Sequence, residues 1–261
     1  MNFFDKNNNL VSEIKNGNGL VKIYDNDGHL SIEGEFLNGK INGKGMEYYN
    51  DGKLKFEGEY LKGKINGKGK EYYSNGNLKF EGEYLNGERN GKGKEYDDDR
   101  LTFEGEYLNG KRNGKGKEYD ENEELRFEGY YLYSYKIKGK EYFEGRLEYE
   151  GDYLYGNKWE GKGYDKYGFI IYELNNGNGK VKEDSSKGRL KFEGEYKNGQ
   201  KNGKGKTYED GKCIFYGEYL NGYRWEGIGI QIDVHHYYTG DKEDIYELEY
   251  SDGKLQKKYE L

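Results

Sequence analysis

The chain has no proline and no alanine, one cysteine, two tryptophans and four valines among 261 residues. Alanine is the best helix former, so its absence argues against a helical bundle. The single thiol, Cys213, cannot form an internal disulfide, and no Asn-x-Ser/Thr acceptor occurs. Both absences fit a reducing, cytoplasmic setting better than a secreted scaffold. No apolar run approaches the ~18 residues of a membrane span; the longest, Gly168 to Tyr172, is strand-sized. The start carries no signal-peptide apolar stretch, and neither end a lipidation motif. Positive charge is also short, with 43 basic against 50 acidic residues and a net charge of −7. That balance lacks the basic field of a nucleic-acid binder, so no nucleic-acid partner is expected. Phe, Leu, Ile and Val together make up only about 18% of the chain, a level that ordinarily signals disorder. What is abundant instead is Gly, at 43, and Tyr, at 31.

These residues recur in register. An aromatic or aliphatic residue followed by Glu-Gly stands at Ile32, Phe56, Phe80, Phe103, Phe127, Tyr149 and Phe192, with the variant Phe215-Tyr216-Gly217 after them. Spacings are 22 to 24 residues apart from one gap of 43, which holds a half-unit beginning at Tyr172. The sequence thus reads as one repeat array over 1–261 of about eight full units. A half-repeat at 10–31 precedes regular repeats at 32–126, irregular repeats at 127–191, repeats at 192–245 and a cap at 246–261. Partial units fall at 14–30, 172–190 and 246–261, and atypical terminal units are usual where a stack must be capped.

Within a unit, Phe56, Gly58 and Tyr60 alternate with Glu57 and Glu59, the period-two signature of a strand with one aromatic face and one charged face. Lys62-Gly63 and Asn86-Gly87 are tight-turn chemistry. Gly67 and Gly69 then leave room on the next strand for a neighbouring ring to lie flat, and Lys68 and Lys70 offer cross-strand partners to Glu57 and Glu59. Each unit is therefore a β-hairpin, and successive hairpins pair edge to edge. The fold class expected is all-β: an elongated, twisted, single-layer antiparallel sheet of stacked hairpins with no helical domain, about 90 Å long at roughly 10 Å per hairpin. Missing proline fits a sheet whose strands are nearly all internal.

The units Phe56-EGEYLKGKINGKGKEYY, Phe80-EGEYLNGERNGKGKEY and Phe103-EGEYLNGKRNGKGKEY resemble the MORN repeat, an aromatic-Glu-Gly-Glu-aromatic followed by an Asn-Gly turn and Gly-x-Gly. The resemblance covers almost the whole chain. It implies a shallow groove, protein–protein binding along it, self-association as a homodimer in some members, and a place at cytoskeletal or membrane-associated structures. It also implies, as the alternative function, recognition of anionic membrane phospholipid. The function expected is that of a non-catalytic scaffold, with neither enzyme activity nor cofactor.

Candidate contacts lie where the repeat breaks, since irregularities on a regular frame tend to carry function. The unit at Phe127 loses its Asn-Gly turn and gathers Tyr130, Tyr131, Tyr133 and Tyr135. Two units read as lengthened by one residue and insert the only tryptophans, Trp159 and Trp225, the latter beside Tyr223 and Arg224. Trp, Tyr and Arg dominate binding hot spots; the alternative is that each Trp fills a local gap. Lipid contacts would come from Lys62, Lys64, Lys68, Lys70, Lys111 and Arg112. Ile228, Ile230 and Ile232 read as a buried strand face. His235 and His236 are adjacent and point to opposite faces of a strand, so they make no metal site. Cys213 has no catalytic companion. Repetition of the Glu-x-Glu pairs in every unit speaks for structure rather than glycosidase chemistry.

Overall fold

The computed structural model describes residues 2–4, 10–13, 17–184, 189–237 and 240–260. The opening half-unit read from residue 14 begins outside them, as do residues 185–188 of the partial unit at 172–190 and the last residue of the cap. Among the described residues there is no helix; the chain forms antiparallel sheets of stacked hairpins that do not close into a barrel. It divides into two compact units, Met1–Tyr135 and Lys136–Leu261.

Unit 1 opens with a short antiparallel pair, β1 (Asn2–Phe4) and β2 (Leu10–Glu13). There follow β3 (Gly19–Tyr24), β4 (Leu30–Leu37), β5 (Lys40–Tyr48), β6 (Leu54–Leu61), β7 (Lys64–Tyr72), β8 (Leu78–Leu85), β9 (Glu88–Asp97), β10 (Arg100–Leu108), β11 (Lys111–Tyr119) and β12 (Leu125–Leu132). From β3 onward each strand pairs with the next. In unit 2 one run holds β13 (Tyr135–Phe143), β14 (Arg146–Leu154), β15 (Asn157–Tyr164) and β16 (Ile170–Leu174). A second run holds β17 (Gly179–Asp184), β18 (Leu190–Lys197), β19 (Gln200–Glu209), β20 (Lys212–Leu220), β21 (Tyr223–Tyr237), β22 (Gly240–Ser251) and β23 (Lys254–Glu260).

The hairpins close as their turn residues require. Asn86 and Gly87 sit at φ 55° and 96°, Asn109 and Gly110 at 49° and 78°, the double positive φ of a type I′ turn. The Phe127 unit keeps this turn without Asn-Gly, holding Tyr133 at 49° and Ser134 at 70°. Left-handed backbone costs an L-residue about 1–2 kcal/mol, so Ser134→Gly is expected to stabilise unit 1 by about 1 kcal/mol, read as a rise in the denaturation midpoint. A fall would mean that the Ser134 hydroxyl, which accepts the N–H of Arg112 at 3.2 Å, outweighs the strain.

Between the paired glycines the second strand bulges. Gly105 pairs with Gly116 and Tyr107 with Arg112, which leaves Asn113, Gly114 and Lys115 opposite the single residue Glu106. Asn and Gly have separate uses there. Asn66 Oδ1 accepts the N–H of Asn86 in the next turn at 3.2 Å, and Asn42 does the same for Lys62 at 3.0 Å. Each turn is tied back a second time, as Gly87 N–H donates to Ile65 and Gly110 N–H to Arg89, at 2.8 and 2.9 Å. Gly67 is needed for its φ of 114° and for the Glu59 carboxylate folded against it, not for an aromatic ring. Gly69 does lie under a ring, that of Phe56.

Two sequence readings are corrected. The Trp hairpins are shorter, not longer: Gly151 pairs with Gly161 and Gly217 with Gly227, one residue fewer than from Gly105 to Gly116. A single Trp159 or Trp225 replaces the two-residue Asn-Gly bulge. Ile228 and Ile230 are exposed, not buried. In β21 the glycines occupy the covered face, with Gly229 buried opposite Phe215, and the isoleucines point the other way.

Candidate functional site

The aromatic face of each unit is a filled core rather than an open groove. Phe80 and Phe103 are fully buried, and Tyr84 and Tyr107 nearly so. Their rings alternate edge to face along unit 1, Phe56–Tyr84 at 5.5 Å, Phe80–Tyr107 at 5.3 Å and Phe103–Tyr131 at 5.3 Å between centroids. That spacing and the near-perpendicular planes are the favoured aromatic geometry.

Over the rings runs a second ladder, one that joins each repeat to the next and so is absent from the pattern of any single one. Glu71, Glu95 and Glu118 pair with Phe80, Phe103 and Phe127, so they share the aromatic face. Arg89 grips Glu71 with Nε at 3.1 Å and Nη2 at 2.8 Å, and reaches Glu95 with Nη1 at 3.2 Å. Arg112 continues from Glu95 to Glu118. The guanidinium carbons lie 4.0 Å above Phe80 and Phe103, within cation–π range. Ile41 and Ile65 hold the same place in the earlier units. The change from Ile to Arg at a fixed offset from a constant Glu was the signal available in the sequence. In unit 2 the equivalent pairs are Lys158–Glu141 at 3.0 Å and Lys201–Glu183 at 3.2 Å.

Burial and pairing shift several groups of this ladder. Burial pushes the Tyr84 and Tyr107 hydroxyls well above the usual range, reinforced by Glu71 and Glu95. Burial alone would raise Glu71, but the Arg89 guanidinium and the Tyr84 hydroxyl outweigh it and hold the carboxyl below its ordinary 4.5. A carboxyl depressed in the folded state adds stability that is complete above its unfolded value and lost as pH falls through the folded one. Glu71→Gln is therefore expected to be less stable than wild type at pH 7, with the gap closing below about pH 4.5. Thermal melts between pH 7 and 3 check this, and a gap that stays constant would refute it.

The residues singled out in the sequence fall in different environments. Tyr131 is only 2% exposed and occupies the core position of Tyr107; it is not available to a partner. Tyr130, Tyr133 and Tyr135 are 44%, 59% and 55% exposed. Lys115 and Lys111 lie 5.8 Å from the Tyr130 and Tyr133 rings. Trp159 and Trp225 are half-buried, and their carbonyls accept the N–H of Gly177 and Gly253 at 2.6 and 2.9 Å. The Trp225 indole also lies on the Asp252-Gly253 turn, 3.2 Å from where a Cβ on Gly253 would stand, which is the gap-filling arrangement. Tyr223 is exposed, whereas Arg224 stacks on Phe215 at 4.9 Å.

The lysine cluster is not a uniform basic patch. Lys62 forms a turn at φ 51°, and Lys64 and Lys111 stand beside turns, exposed. Lys68 pairs with Glu83, and Lys70 stands between Glu57 and Glu81. Arg112 belongs to the buried ladder on the opposite face, so it is withdrawn from any membrane. Asp25, Asp27 and His29 bring three ligand-type atoms within 4.8 Å. Asp25 Oδ1 there accepts the N–H groups of Asp27 and His29 at 3.0 and 2.8 Å. Asp120 and Asp165 do the same in other turns, so the cluster is turn chemistry. The side chains of Ile232, His235 and His236 lie outside the described residues.

Five segments match the family model described as MORN repeat: residues 33–53, 56–78, 80–101, 103–123 and 192–213. Four fall in the regular run and one begins at Phe192. No curated protein matches the chain.

Proposed function

We propose that this chain, a MORN repeat protein, is a non-catalytic scaffold whose exposed irregular hairpins, rather than its filled aromatic face, hold a protein partner. The observation that supports this most is the cluster of Tyr130, Tyr133 and Tyr135. These are large, exposed rings on a frame locked from beneath by the Phe103–Tyr131–Phe127 stack. Rigid, amphipathic tyrosines give contact area at small entropic cost, and Lys111 and Lys115 beside them favour a partner carrying carboxylates. The tyrosine–carboxylate hydrogen bonds recur with the same partners in unit after unit, which fits a frame rather than one reacting constellation. A cytoplasmic setting belongs to the same reading, given one cysteine.

The test is affinity capture with wild type and with a Tyr130→Ser, Tyr133→Asn, Tyr135→Thr variant of unchanged circular dichroism. Partner recovery is expected to fall at least about tenfold, as for loss of hot-spot aromatics; equal recovery overturns the reading. Anionic-lipid recognition ranks second, because Lys68 and Lys70 are interleaved with Glu57, Glu81 and Glu83. Flotation with vesicles of mixed neutral and acidic phospholipid is expected to recover no protein at physiological salt. Recovery that falls as salt rises would reverse the ranking.

A further inference from the structure

In several hairpins the ladder carboxylate is flanked by a cation from a bulge in the strand that follows. Glu47 pairs with Phe56 and Tyr48 with Leu54, which leaves Lys55 as the extra residue, and Lys55 Nζ lies 3.3 Å from Glu47. Lys79 meets Glu71 in the same way at 3.6 Å. Arg126 and Lys191 hold the equivalent place before Phe127 and Phe192. In β14 the charge is inverted. Glu141 pairs with Tyr149 and Tyr142 with Leu147, so the extra residue is Glu148, a carboxylate set beside a carboxylate.

This inversion stands at a joint. Within unit 2 the strands β13 to β16 and β17 to β23 belong to separate ladders. Among the described residues the only backbone pairing between β16 and β17 is the Asn175–Asn178 bridge. That end is tied down, since Gly177 N–H donates to the Trp159 carbonyl at 2.6 Å and Gly199 N–H to the Gly177 carbonyl at 2.8 Å. Glu183 lies four residues along β17 from Gly179, about 13 Å from the tied end. The neighbouring carboxylates are already engaged there, Glu141 with Lys158 of β15 at 3.0 Å and Glu183 with Lys201 of β19 at 3.2 Å. Tyr172 of β16 stands against the same Lys158 ammonium. Glu148 is the third carboxylate, and it is half-buried.

We propose that Glu148 is a pH-set catch on this joint: uncharged, it lets β17 and β18 seat against β13 to β15; charged, it repels Glu141 and Glu183 and loosens the far ends of β16 and β17. Burial, the largest influence, raises the Glu148 carboxyl above its ordinary 4.5; Glu141 and Glu183 raise it further, and Lys158 and Lys191 only partly offset them. A carboxyl held above its unfolded value contributes stability that is complete below that value and lost as pH rises through the folded one. The joint is therefore tighter in acid and looser above a window that opens at 4.5. Burial alone would raise Glu183 as well, but Lys201 and the Tyr196 hydroxyl hold it below 4.5, so it stays charged across that window. None of these residues belongs to the tyrosine cluster of unit 1, so the catch and the partner reading fail independently.

Hydrogen exchange of the full chain, read by mass spectrometry on peptides covering 170–184, tests it. Wild type and Glu148→Gln are compared at equal pH, where the intrinsic chemical rate cancels. At pH 7.5 these amides are expected to exchange at least about threefold more slowly in Glu148→Gln, because local opening sets their rate. At pH 4 the two proteins are expected to match. Glu150→Gln, which removes an exposed carboxylate from the same strand, is expected to exchange as wild type does. Peptides of β6 to β8 in unit 1 are the reference and do not change. Equal exchange at pH 7.5, a difference that persists at pH 4, or the same slowing from Glu150→Gln overturns the proposal.

Discussion

Phe103→Ala lowers the unfolding free energy of unit 1 by about 3–5 kcal/mol, the cost of emptying a fully buried aromatic site. The ring is 0% exposed, meets Tyr107 and Tyr131 edge to face at 5.7 and 5.3 Å, and carries the Arg112 guanidinium 4.0 Å above it. Beneath it Gly105 and Gly116 pair directly and offer no side chain to fill the void. A Cβ on Gly105 would stand 2.7 Å from the Phe103 ring and from Gly116 Cα. Leu108→Ala in the same hairpin is the control, since Leu108 is exposed and its loss costs under about 1 kcal/mol. Urea denaturation of both variants decides the matter. A stack is held by nearest-neighbour contacts, so a damaged middle hairpin is also expected to split a single transition into two. A loss below 1 kcal/mol for Phe103→Ala would mean that the ring ladder is not what holds the units together.

Glu95→Ala costs about 2–3 kcal/mol, because it leaves two guanidinium groups facing one another with their shared carboxylate gone. Arg89 and Arg112 both bond Glu95, and the three side chains are only 19%, 26% and 23% exposed. Removing one partner of a well-buried pair costs about 3–5 kcal/mol, and partial exposure reduces that. Arg112→Ile is expected to be milder, at about 1 kcal/mol, since Glu95 keeps Arg89 and an isoleucine already fills the same position as Ile41 and Ile65. The order of the two variants is the informative result. If Arg112→Ile is the more damaging, the guanidinium acts mainly through its stacking on Phe103 rather than through the carboxylates. Urea denaturation of the two variants side by side gives that order.

The hairpins, their turns and the identity of the aromatic face were legible because each rests on a local rule. Phe56, Gly58 and Tyr60 declare a face by period two, and Asn86-Gly87 declares a turn by its backbone preference. The errors arose where two residues could trade places along the strand. Gly161-Lys162-Gly163 looks like Gly114-Lys115-Gly116, and aligning the two inserts a residue before Trp159. The chain instead sets Gly161 in the place of Gly116 and lets one Trp do the work of Asn-Gly. Ile228 and Ile230 depart from the rule that apolar residues face inward, because in this fold glycine marks the covered side. The Arg–Glu ladder was invisible in any single unit, since it joins Glu71 to Arg89 across 18 positions and two strands.

Every hairpin in the regular run is fastened to the next by the same bonds. A turn N–H reaches a carbonyl one unit back, a bulge Asn accepts the following turn, and a Glu accepts the following Arg or Tyr. The seam between units is thus itself a repeat. Excising residues 80–102 would bring Phe103 to Lys79 and Arg112 to Glu71, and both junctions would reproduce contacts the chain already makes. In genetic terms, unequal recombination between near-identical copies can lengthen or shorten such an array by whole hairpins without disturbing a single packed surface. The number of hairpins in the regular run is then left open by the packing itself.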